Sequence, residues 1–264
     1  MEVIICQDPA EVGLVSAAKV AKIAAAIGPS VVLGVATGSS PLATYENLRA
    51  LVQAGKLDLS QASAFALDEY VGLPIEHPES YHATIDRTVT VPLGLDSQRV
   101  HVPDGDPAGL ETAGERYEAA IKAAGGVDVQ ILGVGANGHI GFNEPTSSLS
   151  SRTRMKTLAP QTRVDNARFF GNSIDAVPRH CITQGLGTIL AARHALLVAT
   201  GANKIAAVRA LVEGPVTSLC PASVLQLHRR ATIVVDEEAA SGLSLSDYYR
   251  TVFDNLPDWQ RLDI

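Results

Sequence analysis

Residues 31–48 read VVLGVATGSSPLATYENL. Val31 to Val35 is apolar or glycine throughout, the mark of a strand buried on both faces. Leu42 to about Ala54 has the spacing of a helix. Between them lie Thr37, Gly38, Ser39 and Ser40. A strand that enters a helix through a Gly/Ser turn is the repeating unit of a parallel α/β fold. Gly38 allows backbone angles that other residues resist, and Pro41 suits a first helical turn. N–H groups at such a helix start, with Ser and Thr hydroxyls beside them, make an anion site. A plain N-cap and tight turn account for the same residues without a ligand. The loop is neither GxGxxG nor a Walker A motif, so a nucleotide is not indicated.

The unit recurs on both sides. Val3 to Cys6 reads as a strand and Ala10 to Ile27 as a helix. Further strands are expected at Ala62–Leu67, Val127–Leu132, Ala195–Ala199 and Ala231–Val235, with helices at Ala108–Ala124 and Lys204–Val212. This alternation predicts one α/β domain over residues 1–264, a doubly wound, mostly parallel, Rossmann-like sheet with helices on both faces. In such sheets ligands bind at the carboxyl ends of the strands, where the strand order reverses.

The composition fits. Of 264 residues, 46% are hydrophobic and 19% charged, which excludes a disordered chain. The net charge is -7 and there is no basic run, which argues against nucleic acid as a partner. No apolar stretch reaches the roughly 18 residues of a membrane span. The opening MEVIICQDPAEVG lacks a basic segment and a cleavage signal, so a cytoplasmic protein is expected. Cys6, Cys181 and Cys220 are scattered and read as reduced packing residues. The histidines show neither HExxH nor HxxxH spacing, so no metal is expected.

Three further stretches carry candidate chemistry. FALDEYVGLPIEHPESYH, residues 65–82, places Asp68 and Glu69 after a strand. Neighbouring side chains point opposite ways, so one acid faces a ligand, and Asp68 is assigned that place as a general base. An Asp that caps the next turn is the structural alternative. QILGVGANGHIGFNEPTSSLSSRTR, residues 130–154, is glycine-rich and carries His139 and Glu144. A carboxylate beside an imidazole fixes its tautomer and raises its basicity, which equips the pair to move a hydroxyl proton. Arg168 in NARFFGN and Lys204 in TGANKIAA are candidate phosphate ligands; as single residues they read equally as solvated surface cations.

These motifs in this order resemble the glucosamine-6-phosphate deaminase (isomerase) family. TGSSP, LDEYVGLP with HPESYH, ANGHIGFNEP, SSRTR and GANK carry the likeness, between about Val31 and Asp236. The resemblance implies conversion of glucosamine 6-phosphate to fructose 6-phosphate and ammonia in N-acetylglucosamine catabolism, without metal or organic cofactor. It implies that Asp68 moves the proton from carbon 2 to carbon 1. It implies that His139 opens the sugar ring with Glu144 as relay partner, and that Gly38, Ser39, Ser40, Arg168 and Lys204 hold substrate and phosphate. Many relatives have an acid where this chain has Asn137, which cannot carry charge; Asn137 is taken as a tolerated member of the relay.

Some enzymes of this family are hexamers activated by N-acetylglucosamine-6-phosphate, and others are unactivated monomers. Ser147, Ser148, Arg154 and Lys156 match the activator positions, though SSLSSRTRMK also reads as a polar loop and strand edge. A homo-oligomer is expected. Two readings compete with the deaminase: a 6-phosphogluconolactonase-type hydrolase, which needs no base for a carbon-bound proton, and a non-catalytic sugar-phosphate sensor.

Overall fold

The computed structural model describes residues 1–262. Among them, strands β1 (Glu2–Cys6), β2 (Val32–Val35), β3 (Ser63–Ala66), β5 (Val100–His101), β6 (Val129–Leu132), β9 (His194–Ala199) and β10 (Ala231–Asp236) form a seven-stranded sheet in the order β1-β10-β9-β6-β2-β3-β5. Every pairing in it is parallel.

Strand side chains alternate between the two faces. Val234 joins the core beneath the helices Pro9–Ile27 and Leu42–Gln53, whereas Ile233 and Val235 join the core beneath the helix Ile205–Val212. Each fully buried Val or Ile contributes about 1.5–3 kcal/mol by leaving water. The helix Pro9–Ile27 starts where Asp8 accepts a hydrogen bond from the Glu11 amide. The expected doubly wound sheet is therefore present, and the expected strands and helices recur within about two residues of their ends.

The strand order reverses between β2 and β6. From β2 the sheet runs through β3 to β5; from β6 it runs through β9 and β10 to β1. The loops that leave β2 and β6 thus flank one crevice at the carboxyl edge, the place where such sheets bind ligands.

A second sheet was not expected. Strands β4 (Asp68–Tyr70), β7 (Arg154–Thr157) and β8 (His180–Thr183) pair antiparallel in the order β4-β8-β7. Asp68, read as a loop residue, is instead the first residue of β4, opposite Thr183. The strand β7 alternates half-buried and exposed residues, so it has no continuous apolar run to reveal it. Lys204, expected to open a helix, ends the short 3-10 turn Ala202–Lys204 that precedes Ile205–Val212.

Candidate active site

The crevice is a cavity of about 880 Å³. Asp68 and His139 both line it, together with Gly38, Ser39 and Ser40 from the loop after β2 and Arg168 and Lys204 from other segments. The acid, the imidazole and the anion turn expected from separate parts of the chain thus share one space.

At the anion turn, Gly38 has φ of +91°, in the left-handed region that glycine tolerates best. Ser39 and Ser40 follow at the start of the helix Leu42–Gln53, whose dipole favours an anion. Burial first, then the neighbouring Arg168, pushes Lys204 below the ordinary lysine range. Two cations that repel each other beside serine hydroxyls form a site that a phosphate dianion relieves.

The two adjacent acids divide the work. Glu69 turns away from the cavity and accepts hydrogen bonds from the amides of Tyr70 (2.7 Å), Tyr81 (2.9 Å) and His82 (2.9 Å), which ties down the start of the helix Tyr81–Ile85. Asp68 is buried to 5% exposure and faces the cavity. Burial, then the charge of Glu69, raises the Asp68 carboxyl well above the ordinary value of 3.8. A carboxylate so destabilised is a stronger base, suited to a carbon-bound proton. The capping role considered for Asp68 is taken by Glu69.

The histidine relay differs from the expected direct pair. His139 Nδ1 lies 3.7 Å from Glu144 Oε2 but 2.7 Å from Asn137 Oδ1. Asn137 Nδ2 in turn donates to Glu144 Oε2 at 2.8 Å. A carboxylate only accepts, so the amide nitrogen of Asn137 must face Glu144 and its oxygen must face His139. That oxygen also accepts from the His139 amide at 3.1 Å. The His139 proton therefore sits on Nδ1, and Nε2 is left with its lone pair. Burial outweighs the attraction of Glu144 and lowers the His139 value, and Lys204 lowers it further, so the ring is neutral at physiological pH. Asn137 bridges Glu144 and the His139 ring. Gly135 gives the ring its room: a Cβ there would lie 2.1 Å from His139 Cε1.

The remaining expected residues lie elsewhere. Ser147, Ser148, Arg154 and Lys156 do not line the cavity. Arg154 donates to Asn143 Oδ1 at 2.7 Å, and Ser148 Oγ contacts Ser150 Oγ at 3.2 Å. Sequence reasoning missed Tyr81, Thr162, Asp165 and Asn166, all of which line the cavity. The motif HPESYH contains Tyr81 and could have flagged it; a threonine 18 positions from Glu144 offered no signal.

A crevice at the switch point of a parallel sheet, with a buried acid and an imidazole beside an anion turn, holds the groups that general acid–base chemistry needs. Residues 8–234 match the family described as glucosamine-6-phosphate isomerases/6-phosphogluconolactonase, and the chain belongs to that family. The glucosamine-6-phosphate deaminase of Bifidobacterium longum is 57% identical over 98% of this chain and 98% of its own. That of Streptomyces coelicolor is 55% identical over 98% of this chain and 99% of its own. A solved monomeric glucosamine-6-phosphate deaminase superimposes with a TM-score of 0.88 at 41% identity, covering 92% of this chain and all (100%) of that one. The 6-phosphogluconolactonase of Leishmania guyanensis, at 21% identity and a TM-score of 0.70 over 92% of this chain and 98% of its own, shares the fold.

Proposed function

We propose that this enzyme converts glucosamine 6-phosphate to fructose 6-phosphate and ammonia, in the cytoplasm. The single observation that supports this best is Asp68: a buried carboxylate of raised basicity that shares its cavity with a Nδ1-protonated His139 and the anion turn. A lactone hydrolase needs no base placed to take a carbon-bound proton.

The phosphate lies between the Ser39–Ser40 turn, Arg168 and Lys204, which fixes the sugar and makes the later steps intramolecular. His139 Nε2 takes the proton of the anomeric hydroxyl and returns it to the ring oxygen, which opens the ring to the aldehyde. Asp68 then removes the proton from carbon 2, leaving an enolamine, and delivers it to carbon 1, giving a ketimine; the proton that the amino group loses balances the one that the carbon-1 oxygen takes up. Water adds at carbon 2, ammonia leaves, and the ketone of fructose 6-phosphate remains. Asp68 ends in its starting state.

The test is ammonia and fructose 6-phosphate release from glucosamine 6-phosphate, with 6-phosphogluconolactone hydrolysis as control. Hydrolysis of the lactone alone would replace this reading with the lactonase.

We infer as a second reading that the chain self-associates and answers to N-acetylglucosamine-6-phosphate. What supports it is Ser147, whose buried hydroxyl has no hydrogen-bond partner among the described residues. Leaving such a group unpaired costs about 1–3 kcal/mol, which a rearrangement that opens the site to a ligand or a partner chain would recover. The engagement of Arg154 by Asn143 weighs on the other side. Sigmoidal kinetics made hyperbolic by the activator, in a protein of multimeric mass, is the expected result; hyperbolic kinetics from a monomer removes the reading.

A further inference from the structure

The helix Pro160–Asn166 touches both halves of the reaction machinery. Thr162 is buried, and its hydroxyl donates a hydrogen bond to Glu144 Oε1. Asn166, at the end of the same helix, donates from Nδ2 to the Tyr70 hydroxyl at 2.9 Å, two residues beyond Asp68. The next turn, Ala167–Phe169, brings Arg168 to the cavity.

Glu144 is thus held at both oxygens: Oε1 by Thr162 and Oε2 by Asn137. The second contact sets the Asn137 amide, and the amide sets the His139 tautomer. Without the Thr162 hydroxyl, one carboxylate oxygen has lost its donor and Glu144 is free to turn. A rotation that carries Oε2 away breaks its 2.8 Å bond to Asn137 Nδ2. An Asn137 amide released from Glu144 can reverse and present its NH2 to Nδ1. An imidazole that accepts at Nδ1 carries its proton on Nε2 and has no lone pair there for the sugar hydroxyl.

We propose that Thr162 is a positioning residue that, through Glu144 and Asn137, keeps His139 in the tautomer able to open the sugar ring. It couples the segment bearing Arg168 to the relay, since both lie on one continuous helical stretch. The proposal rests on the reading of His139 as the ring-opening group.

The experiment compares wild type, Thr162→Val and Thr162→Ser in the full chain, with steady-state kinetics on glucosamine 6-phosphate and 15N spectra of the histidine side chains. Thr162→Val keeps the shape and removes the donor. It should lower kcat about tenfold or more, as small losses of alignment do, with KM within about twofold. It should also convert part of the His139 signal from the Nδ1–H to the Nε2–H form. Thr162→Ser, which keeps the hydroxyl, should restore both. If the valine variant does not fold, Thr162→Ala is measured in its place with the same expectations. An unchanged tautomer and kcat in the variant that lacks the hydroxyl overturns the proposal. So does a kcat loss that serine fails to restore. The tautomer signal requires no turnover, so an inactive wild type would refute the proposed reaction while the spectra still decide the role of Thr162.

Discussion

Asn137 presents its amide oxygen to His139 Nδ1 at 2.7 Å and its amide nitrogen to Glu144, and so links the carboxylate to an imidazole that Glu144 does not itself hydrogen-bond. A neutral amide orients the ring without adding charge beside it. An amide can therefore hold the ring at the position where the family resemblance leads one to expect an acid. His139 stays below the ordinary histidine value because its burial is only partly offset by the more distant carboxylate.

Asn137→Asp would put a full charge at hydrogen-bond distance from Nδ1. An opposite charge favours the imidazolium, so the His139 value rises. The base is lost below that value, and the acid limb of the pH profile of kcat/KM should move to higher pH, with turnover on the alkaline side within a modest range of wild type. A profile with no shift contradicts the bridging role, and so does complete loss of activity.

Asp68→Asn keeps the shape and removes the base. Turnover should fall by about 10²–10⁴, while inorganic phosphate still protects the protein from heat. The substitution also has a stability signature. A carboxyl whose folded value lies above its ordinary 3.8 destabilises the fold increasingly as pH climbs from 3.8 through the raised value. The asparagine variant should therefore melt higher than wild type at about pH 8, by roughly 2–4 °C per kcal/mol, with the gain vanishing toward pH 4. Equal melting temperatures across that range contradict the burial of an ionised Asp68.

Lys204→Gln removes one of two cations facing the anion turn. A lost charge-assisted hydrogen bond is worth about 1.5–3 kcal/mol, so KM should rise tenfold or more, and the salt dependence of KM should weaken. Unchanged KM places the phosphate elsewhere.

Gly135→Ala tests the packing of the relay. The added Cβ would meet His139 Cε1 at 2.1 Å, so the ring must move. Displacement of a proton-transfer group by about 1 Å costs on the order of 10²-fold in rate, and KM should change little. A fully active variant shows that the ring is not confined there.

Much of this was readable in advance wherever local chemistry is decisive. The run Val31–Val35 is apolar because both its faces are covered, and burial of that kind shows in the residues themselves. The turn at Gly38–Ser40 and the candidates Asp68 and His139 were likewise marked by residue type. The small sheet was not, because Asp68–Tyr70 is three residues long and pairs with a strand over a hundred positions away. The division between Asp68 and Glu69 was half legible: alternation said one acid turns away, but only the fold shows that it caps Tyr81 and His82. Asn137 was seen as a missing charge. Its function as a bridge depends on an amide orientation dictated by Glu144, which spacing alone does not contain.

The proposed reaction depends most on Asp68 as the base for the carbon-2 proton. Wild type and Asp68→Asn, each incubated with glucosamine 6-phosphate, should differ sharply in one measurement, the release of ammonia together with fructose 6-phosphate. Wild type should release both in equal amounts and the variant should release neither above about a hundredth of that rate. A variant that deaminates as fast as wild type, or a wild type that releases no ammonia, would contradict it.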